Sequence, residues 1–355
     1  MNHSLVTPVT KWCGPHHGEV EGQCGKLVFV TDSIRSPLMA DAPGDTPMAQ
    51  PTSAGPRVRM KNMLYATDLS QASERALPFA LAVARAIGAK VYALHVATPP
   101  MDDFTAIEVS YSSLEAVEET IEAEKARLEA QLCGVPHEIQ IERGPSVWAA
   151  MEQAIHLHKI DLVVLGTHGR TGAEKLLFGS TVEGILRQCP VPVMTIGPGV
   201  RSGSHVVGHI RRLLFATDLS EDSARAARFA VALAEQNRAE LKLMHVIQDY
   251  RPARGHGKQL VSAAHVLHEL HELMPKECEL LCRPELILEY GVPSERILAV
   301  AEDKGADLIV IGARQSRGSL LSATHLEGNT AHQVLVRSRL PVVTVLGSDR
   351  RGPAK

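Results

Sequence analysis

The sequence predicts an α/β protein made of two tandem, doubly wound domains of Rossmann-like type, each with a five-stranded parallel sheet. Three observations carry that prediction. Short apolar runs alternate with stretches of helical period along most of the chain, the signature of strand–helix–strand crossovers. The pattern then recurs: LLFATDLSEDSARAARFAVALAEQNRAELKLMHV at 213–246 aligns without a gap on MLYATDLSQASERALPFALAVARAIGAKVYALHV at 63–96, with sixteen identities in thirty-four positions. Finally, 355 residues give room for about two domains, each with its own core.

Composition narrows the function classes. A net charge of −3 with 22% charged residues provides no basic field to hold DNA or RNA. Six cysteines scattered along the chain make no disulfide framework and suit a reducing compartment. No run of about eighteen apolar residues occurs, and the start MNHSLVTPVTKW lacks the apolar core and cleavage site of a signal peptide. The expectation is a soluble, cytoplasmic protein with no nucleic-acid or membrane partner.

Residues 1–56 read as a mostly disordered leader, dense in Pro, Gly, Ser, Thr and Asp between Ser33 and Pro56. Within it, LVFVTDS at 27–33 has the look of a short strand, but no helix pattern follows and it is set aside as an accidental match. Cys13, His16, His17 and Cys24 lack the paired spacing of a zinc site and read as bystanders.

The first domain spans 57–198. NMLYATD at 62–68 is its first strand. A helix follows from Leu69 to Gly88, with apolar residues at 76, 77, 80, 81, 84 and 87 on one stripe and Ser70 as N-cap. KVYALHV (90–96) is the second strand, and a long helix from Ser113 to Leu132 carries the wet face EAEKARLE. HEIQIERG (137–144) is a third strand and Ser146 to His158 a third helix. Leu162 to Leu165 forms the fourth strand, Ser180 to Arg187 the fourth helix, and VPVMTIG (191–197) the fifth strand. A Gly- and Ser-rich linker, 199–208, leads to the second domain at 209–348, and 349–355 is a tail. There ADLIVIGA (306–313) repeats IDLVVLGT (160–167), and LPVVTVLG (340–347) repeats VPVMTIGP (191–198). Duplication of one α/β unit accounts for the arrangement.

The chemistry concentrates in LVVLGTHGRTGAEKLLFGST at 162–181. An apolar strand end meets a loop with glycines at 166, 169, 172 and 179, and Gly179-Ser180-Thr181 reads as a fresh helix start. A helix N-terminus offers unpaired N–H donors and about half a positive charge, and Arg170 and Lys175 lie in the loop, so a phosphate chain fits. The Ser180 and Thr181 hydroxyls add donors or a magnesium contact. The plainer alternative is an ordinary strand-to-helix crossover that happens to be glycine-rich.

The order Gly-x2-Gly-x9-Gly-Ser, here Gly166, Gly169, Gly179 and Ser180, resembles the nucleotide loop of the ATP-binding branch of the universal stress protein family. It is neither a Walker loop nor the dinucleotide fingerprint. The resemblance covers 57–348 and implies a tandem member with the adenine nucleotide alpha hydrolase-like fold. It implies further that Asp68 and Val96 hold adenine and ribose, and that Gly166, Gly169, Gly179, Ser180 and Thr181, with Arg170 beside them, take the phosphates of ATP, with or without Mg. The second copy keeps Asp218, Val246 and Gly312. However, Gln315 replaces the second glycine, about three extra residues precede Gly328, and Asn329 replaces the serine. One competent site is therefore expected. Family members pair through their fifth strands, which implies an intramolecular pseudo-dimer, with a further homodimer through exposed edges left open.

Other residues invite chemistry and are read conservatively. His95 and His245 follow the second strands and read as packing at strand ends. Asp68 recurs as Asp218, which suggests a cap or turn rather than a catalytic base. No acid–base pair is evident, so hydrolysis is at most slow. His265, His268 and His271, with Cys278 and Cys282 beyond, read as a polar helix face rather than a metal site. The expected function is an ATP-binding stress-response or signalling module with an unnamed protein partner. The alternatives are a nucleotide-independent interaction scaffold and a slow ATP hydrolase.

Overall fold

A computed structural model of the chain describes residues 27–29, 60–97, 111–167, 179–200, 210–220, 223–248, 256–274, 284–313 and 330–347. The tail, residues 201–208 of the linker and the leader apart from 27–29 lie outside them. In chain order the elements are β1 (Leu27–Phe29), β2 (Asn62–Thr67), α1 (Gln71–Glu74), α2 (Leu77–Ile87), β3 (Lys90–Ala97), α3 (Tyr111–Leu132), β4 (His137–Arg143), α4 (Val147–Leu157), β5 (Leu162–Gly166), α5 (Ser180–Gln188) and β6 (Val193–Ile196). The second unit follows with β7 (Arg212–Thr217), α6 (Ser223–Asn237), β8 (Glu240–Ile247), α7 (His256–Glu272), β9 (Glu285–Tyr290), α8 (Pro293–Asp303), β10 (Leu308–Ala313), α9 (Thr330–Arg337) and β11 (Val342–Leu346).

The two five-stranded parallel sheets join into one eleven-stranded sheet of order β1-β9-β8-β7-β10-β11-β6-β5-β2-β3-β4. Their junction is antiparallel. Val342 pairs with Thr195, Val343 with Met194 and Thr344 with Val193, so the fifth strands meet about a pseudo-twofold axis at Met194 and Val343. All six residues are buried, and Arg225 of α6 reaches across to the Pro190 carbonyl. The halves therefore form an intramolecular pseudo-dimer.

Both faces of the sheet are covered, which explains why its strands read as continuous apolar runs. On one side Met63, Tyr65, Val91 and Val164 pack with α2, α3, α6 and α7. On the other, Leu64, Leu94, Val163 and Leu165 pack with α4, α5, α8 and α9. Each such buried aliphatic side chain contributes about 1.5–3 kcal/mol of hydrophobic stabilisation.

Two sequence expectations need correction. The helix expected from Leu69 to Gly88 is interrupted: Ser70 does N-cap α1, its hydroxyl accepting from Ser73 N–H at 3.2 Å, but a second helix starts at Leu77 with Pro78 in its first turn. Proline lacks the N–H that Glu74 would receive and crowds that carbonyl. In the second copy Arg228 stands in place of Pro78, and α6 runs unbroken from Ser223 to Asn237. The stretch set aside in the leader also belongs to the sheet, because Leu27–Phe29 pairs antiparallel with β9.

Candidate functional site

Because β2, β3, β5 and β6 run parallel, their carboxyl ends form one rim. Register places Thr67 beside His95, Ala66 beside Leu165, and Gly166 beside Ile196. Asp68 follows β2 directly, Val96 closes β3 but for one residue, and Gly166 ends β5. Ligands of open α/β sheets bind outside such a rim. Gly169 and Arg170 lie outside the described residues. Beyond Gly166, Thr167 is buried, and its N–H donates to the Ile196 carbonyl at 3.0 Å.

Gly179 is the N-cap of α5 and supplies no side-chain cap bond. Its φ of −63° is open to any residue, and a Cβ there would meet none of the described atoms within 4 Å. The local backbone does not require glycine; what glycine leaves clear is the space in front of the helix. Ser180 and Thr181 are exposed there, at the end where the first N–H groups have no intrahelical acceptors. The first-turn acid, Glu183, is paired with Arg187 at 2.5 Å. The arrangement suits an anion.

A tight turn holds the other side of the rim. Asp68 Oδ1 accepts from Ser70 N–H at 3.0 Å and from the Ser70 hydroxyl at 2.6 Å. Leu69 sits at φ 60°, a left-handed conformation costly for leucine, and its N–H donates to Thr67 Oγ1 at 3.0 Å. The second copy reproduces the device, with Leu219 at φ 59°, Leu219 N–H on Thr217 Oγ1 and Ser220 N–H on Asp218 Oδ1, both at 3.0 Å. Asp68 thus has a turn role in both copies.

Residues that the sequence reading passed over complete this turn. Thr67 Oγ1 and Ser73 Oγ lie 3.0 Å apart, and Tyr65 donates its hydroxyl to the Ser73 carbonyl at 3.1 Å. Burial pushes the Tyr65 phenol up to about 12, so it remains a donor. The signal was present: Thr-Asp-Leu-Ser-x2-Ser recurs at 67–73 and 217–223. Tyr65 becomes Phe215 in the copy whose helix is unbroken, so its hydroxyl accompanies the helix break.

His95 is buried; its Nδ1–H donates to the Thr67 carbonyl at 2.9 Å, with Nε2 3.8 Å from Glu124. His245 makes the same bond to Thr217 at 2.9 Å. Both tie the second strand to the end of the first. At the far end of α5, burial pushes the Cys189 thiol up to about 11, which removes it from thiolate chemistry near neutral pH. His265, His268 and His271 lie on the exposed face of α7, with His265 3.3 Å from Glu269. Among the described residues no group of three or more His, Cys, Asp or Glu is arranged to hold a metal; Cys278 and Cys282 lie outside them, as do Cys13, His16, His17 and Cys24. No described helix is long and apolar enough to cross a membrane. A cleft of about 560 Å³ lined by Lys61, Gly88, Lys90 and Gln236 opens at the opposite, amino-terminal end of the strands.

A doubly wound α/β sheet with an anion-suited helix start on its carboxyl rim defines a Rossmann-like nucleotide-binding class of fold. Comparison with known proteins narrows it. The universal stress protein family model matches twice, over 60–197 and 209–345. A universal stress protein of Thermus aquaticus is 35% identical over 139 residues, covering 38% of this chain and 98% of that protein. Universal stress protein YxiE of Bacillus subtilis is 31% identical over 147 residues, covering 38% of this chain and 97% of its own length. Among solved structures, a universal stress protein from Archaeoglobus fulgidus superposes with a TM-score of 0.60 at 23% identity, covering 81% of this chain and 97% of that one. The chain belongs to the universal stress protein family and carries two of its domains in tandem.

Proposed function

We propose that the chain is an ATP-binding stress-response or signalling module with one competent site, in its first domain. Asp68 and Val96 contact the adenosine. Gly166, Gly169, Arg170, Gly179, Ser180 and Thr181 receive the phosphates, the two hydroxyls serving as further donors or as a magnesium contact. The observation that carries this reading is Gly179: an N-cap without a side-chain bond, clear of described neighbours, on the carboxyl rim and last in the Gly-x2-Gly-x9-Gly-Ser series. Occupancy would change the surface that partners read.

The second domain favours a different role. Gln315 and Asn329 depart from the series, and α9 begins at Thr330, one residue later than its counterpart Ser180 in α5. A side chain at 315 obstructs the close approach that Gly169 permits, so this half acts as packing partner and interaction surface. Binding, with hydrolysis at most slow, is the reading that the Asp68 turn favours, since that carboxylate is engaged by Ser70. Calorimetric titration of the nucleotide-stripped full chain with Mg-ATP tests the proposal: one site per chain is expected. A folded protein that takes up no adenine nucleotide would instead favour the scaffold.

A further inference from the structure

One contact network separates the two copies on the side of the rim that bears Asp68. Asp68 Oδ1 holds Ser70, and Ser70 caps α1, its carbonyl accepting from Glu74 N–H at 3.0 Å. α1 packs against β2 and β5, the strands that end at Thr67 and Gly166. From the last residue of α1, the Glu74 carboxylate reaches α3: its Oε1 accepts from the Arg127 guanidinium, and from Gln131 Nε2 at 3.0 Å. Earlier on α3, Glu124 lies 3.8 Å from Nε2 of the buried His95, whose Nδ1 bonds the Thr67 carbonyl and which directly precedes Val96. With Nδ1–H given to Thr67, that second contact bonds only through a proton shared by the pair. Glu74 is therefore the firmer tie near neutral pH.

The second copy carries neither tie. Leu270 and Met274 of α7 are buried in the same core as Leu128 and Leu132 of α3. Matching these pairs sets Val266 at the place of Glu124, Glu269 at that of Arg127 and Leu273 at that of Gln131. Ala224 stands where Glu74 does, inside the unbroken α6. The carboxylate, both of its donors and the acid facing the histidine are all replaced, in the copy whose glycine series is also broken. A partly exposed ion pair adds little to stability; what Glu74 supplies is a connection between the rim and α3.

We infer that α3 is the element on which occupancy of the first-domain site is read. That role rests on a nucleotide being held as proposed above: a ligand on Asp68 and Val96 bears on the turn from 67 to 70 and, through Ser70, α1 and Glu74, on α3. A ligand shifts an element only by the difference in its affinity for that element's two states. The network supplies that difference, because a docked α3 and a filled rim then favour each other, and the coupling is mutual. α3 presents Glu119, Glu122, Lys125 and Glu129 to solvent, so a change in its docking changes the outer surface. α7, without the ties, is an internal control.

The test is hydrogen exchange of the nucleotide-stripped full chain with and without saturating Mg-ATP, uptake being followed in parallel by calorimetry. In the wild-type chain Mg-ATP should slow exchange in 119–132 about fivefold or more and leave 263–272 unchanged. Glu74→Ala combined with Glu124→Val, the residues of the second copy, should keep one nucleotide site per chain and lose the slowing. Glu74→Arg alone should lose it as well, and Glu74→Arg combined with Arg127→Glu should restore it, a rescue that local packing would not give. Uptake without slowing in 119–132, or slowing that survives Glu74→Ala with Glu124→Val, would overturn the role of α3. A folded chain that takes up no adenine nucleotide would overturn the proposed site itself, and the role of α3 with it.

Discussion

Thr195 on β6 lies opposite Val342 on β11, and its hydroxyl donates to the Val342 carbonyl at 3.2 Å. The pseudo-twofold twin of this contact is incomplete. Thr344 lies opposite Val193, but its buried Oγ1 has no hydrogen-bond partner among the described residues. Desolvating a hydroxyl without a partner costs about 1–3 kcal/mol, whereas a made bond contributes about 1. Thr344→Val is therefore expected to stabilise the protein by about 1 kcal/mol, and Thr195→Val to destabilise it by a similar amount. Urea midpoints at unchanged m value measure both. A larger loss at 344 than at 195 contradicts the asymmetry.

The helix ends offer a second comparison within the chain. Gly88 closes α2 at φ 69°, and Arg238 holds the same place after α6 at φ 54°. After α4 and α8 the choice is reversed, with Lys159 at φ 50° and Gly305 at φ 57°. Left-handed backbone costs an L-residue about 1–2 kcal/mol that glycine avoids. Arg238→Gly should accordingly raise stability by about 1 kcal/mol and Gly88→Arg lower it by as much or more. Gly305→Lys should cost a similar amount, since a Cβ there falls 2.7 Å from the Arg212 guanidinium, the far end of a flexible side chain that can shift aside. Chemical denaturation ranks the three.

Acid should loosen the second domain through Glu285. Burial raises its carboxyl, but hydrogen bonds from Lys242 at 2.6 Å and Lys304 at 2.5 Å outweigh it and hold the group below the ordinary glutamate value. A carboxylate depressed in the folded state stabilises fully above its unfolded pKa, about 4.3. That contribution is lost as pH falls through the lower folded value. Glu285→Gln should therefore show a shallower fall in melting temperature below about pH 4.3 than the wild-type chain. Parallel acid limbs for the two proteins would remove Glu285 from the account.

Much of this was legible before the fold was known, for physical reasons. The strands announced themselves because both faces of the sheet are buried, and the repeat at 63–96 and 213–246 doubled every signal. Ser70 was readable as a cap because a hydroxyl before an apolar stripe has one local use, and it accepts the bond expected of it. The break at Pro78 was hidden by an apolar stripe that continues across it; the missing N–H decides, not the pattern. Leu27–Phe29 had the look of a strand but was set aside because no helix pattern follows it, and its partner, β9, lies more than 250 residues away. At the site, glycine spacing marked the helix start. The hydroxyls of Thr67 and Ser73 and the phenol of Tyr65 were missed because their role depends on contacts that only the turn creates.

The central claim is that one helix start, that of α5, receives the nucleotide while its twin does not. The most direct test compares Gly179→Glu with Gly328→Glu in the full chain, each titrated with Mg-ATP after removal of bound nucleotide. The backbone at 179 accommodates any residue, so folding should survive there, and a carboxylate placed before the helix repels phosphate. Loss of binding in Gly179→Glu, with wild-type affinity and one site per chain in Gly328→Glu, is the result predicted. Undiminished binding in Gly179→Glu, or loss in Gly328→Glu alone, would contradict it and move the site to the second domain or away from the helix starts altogether.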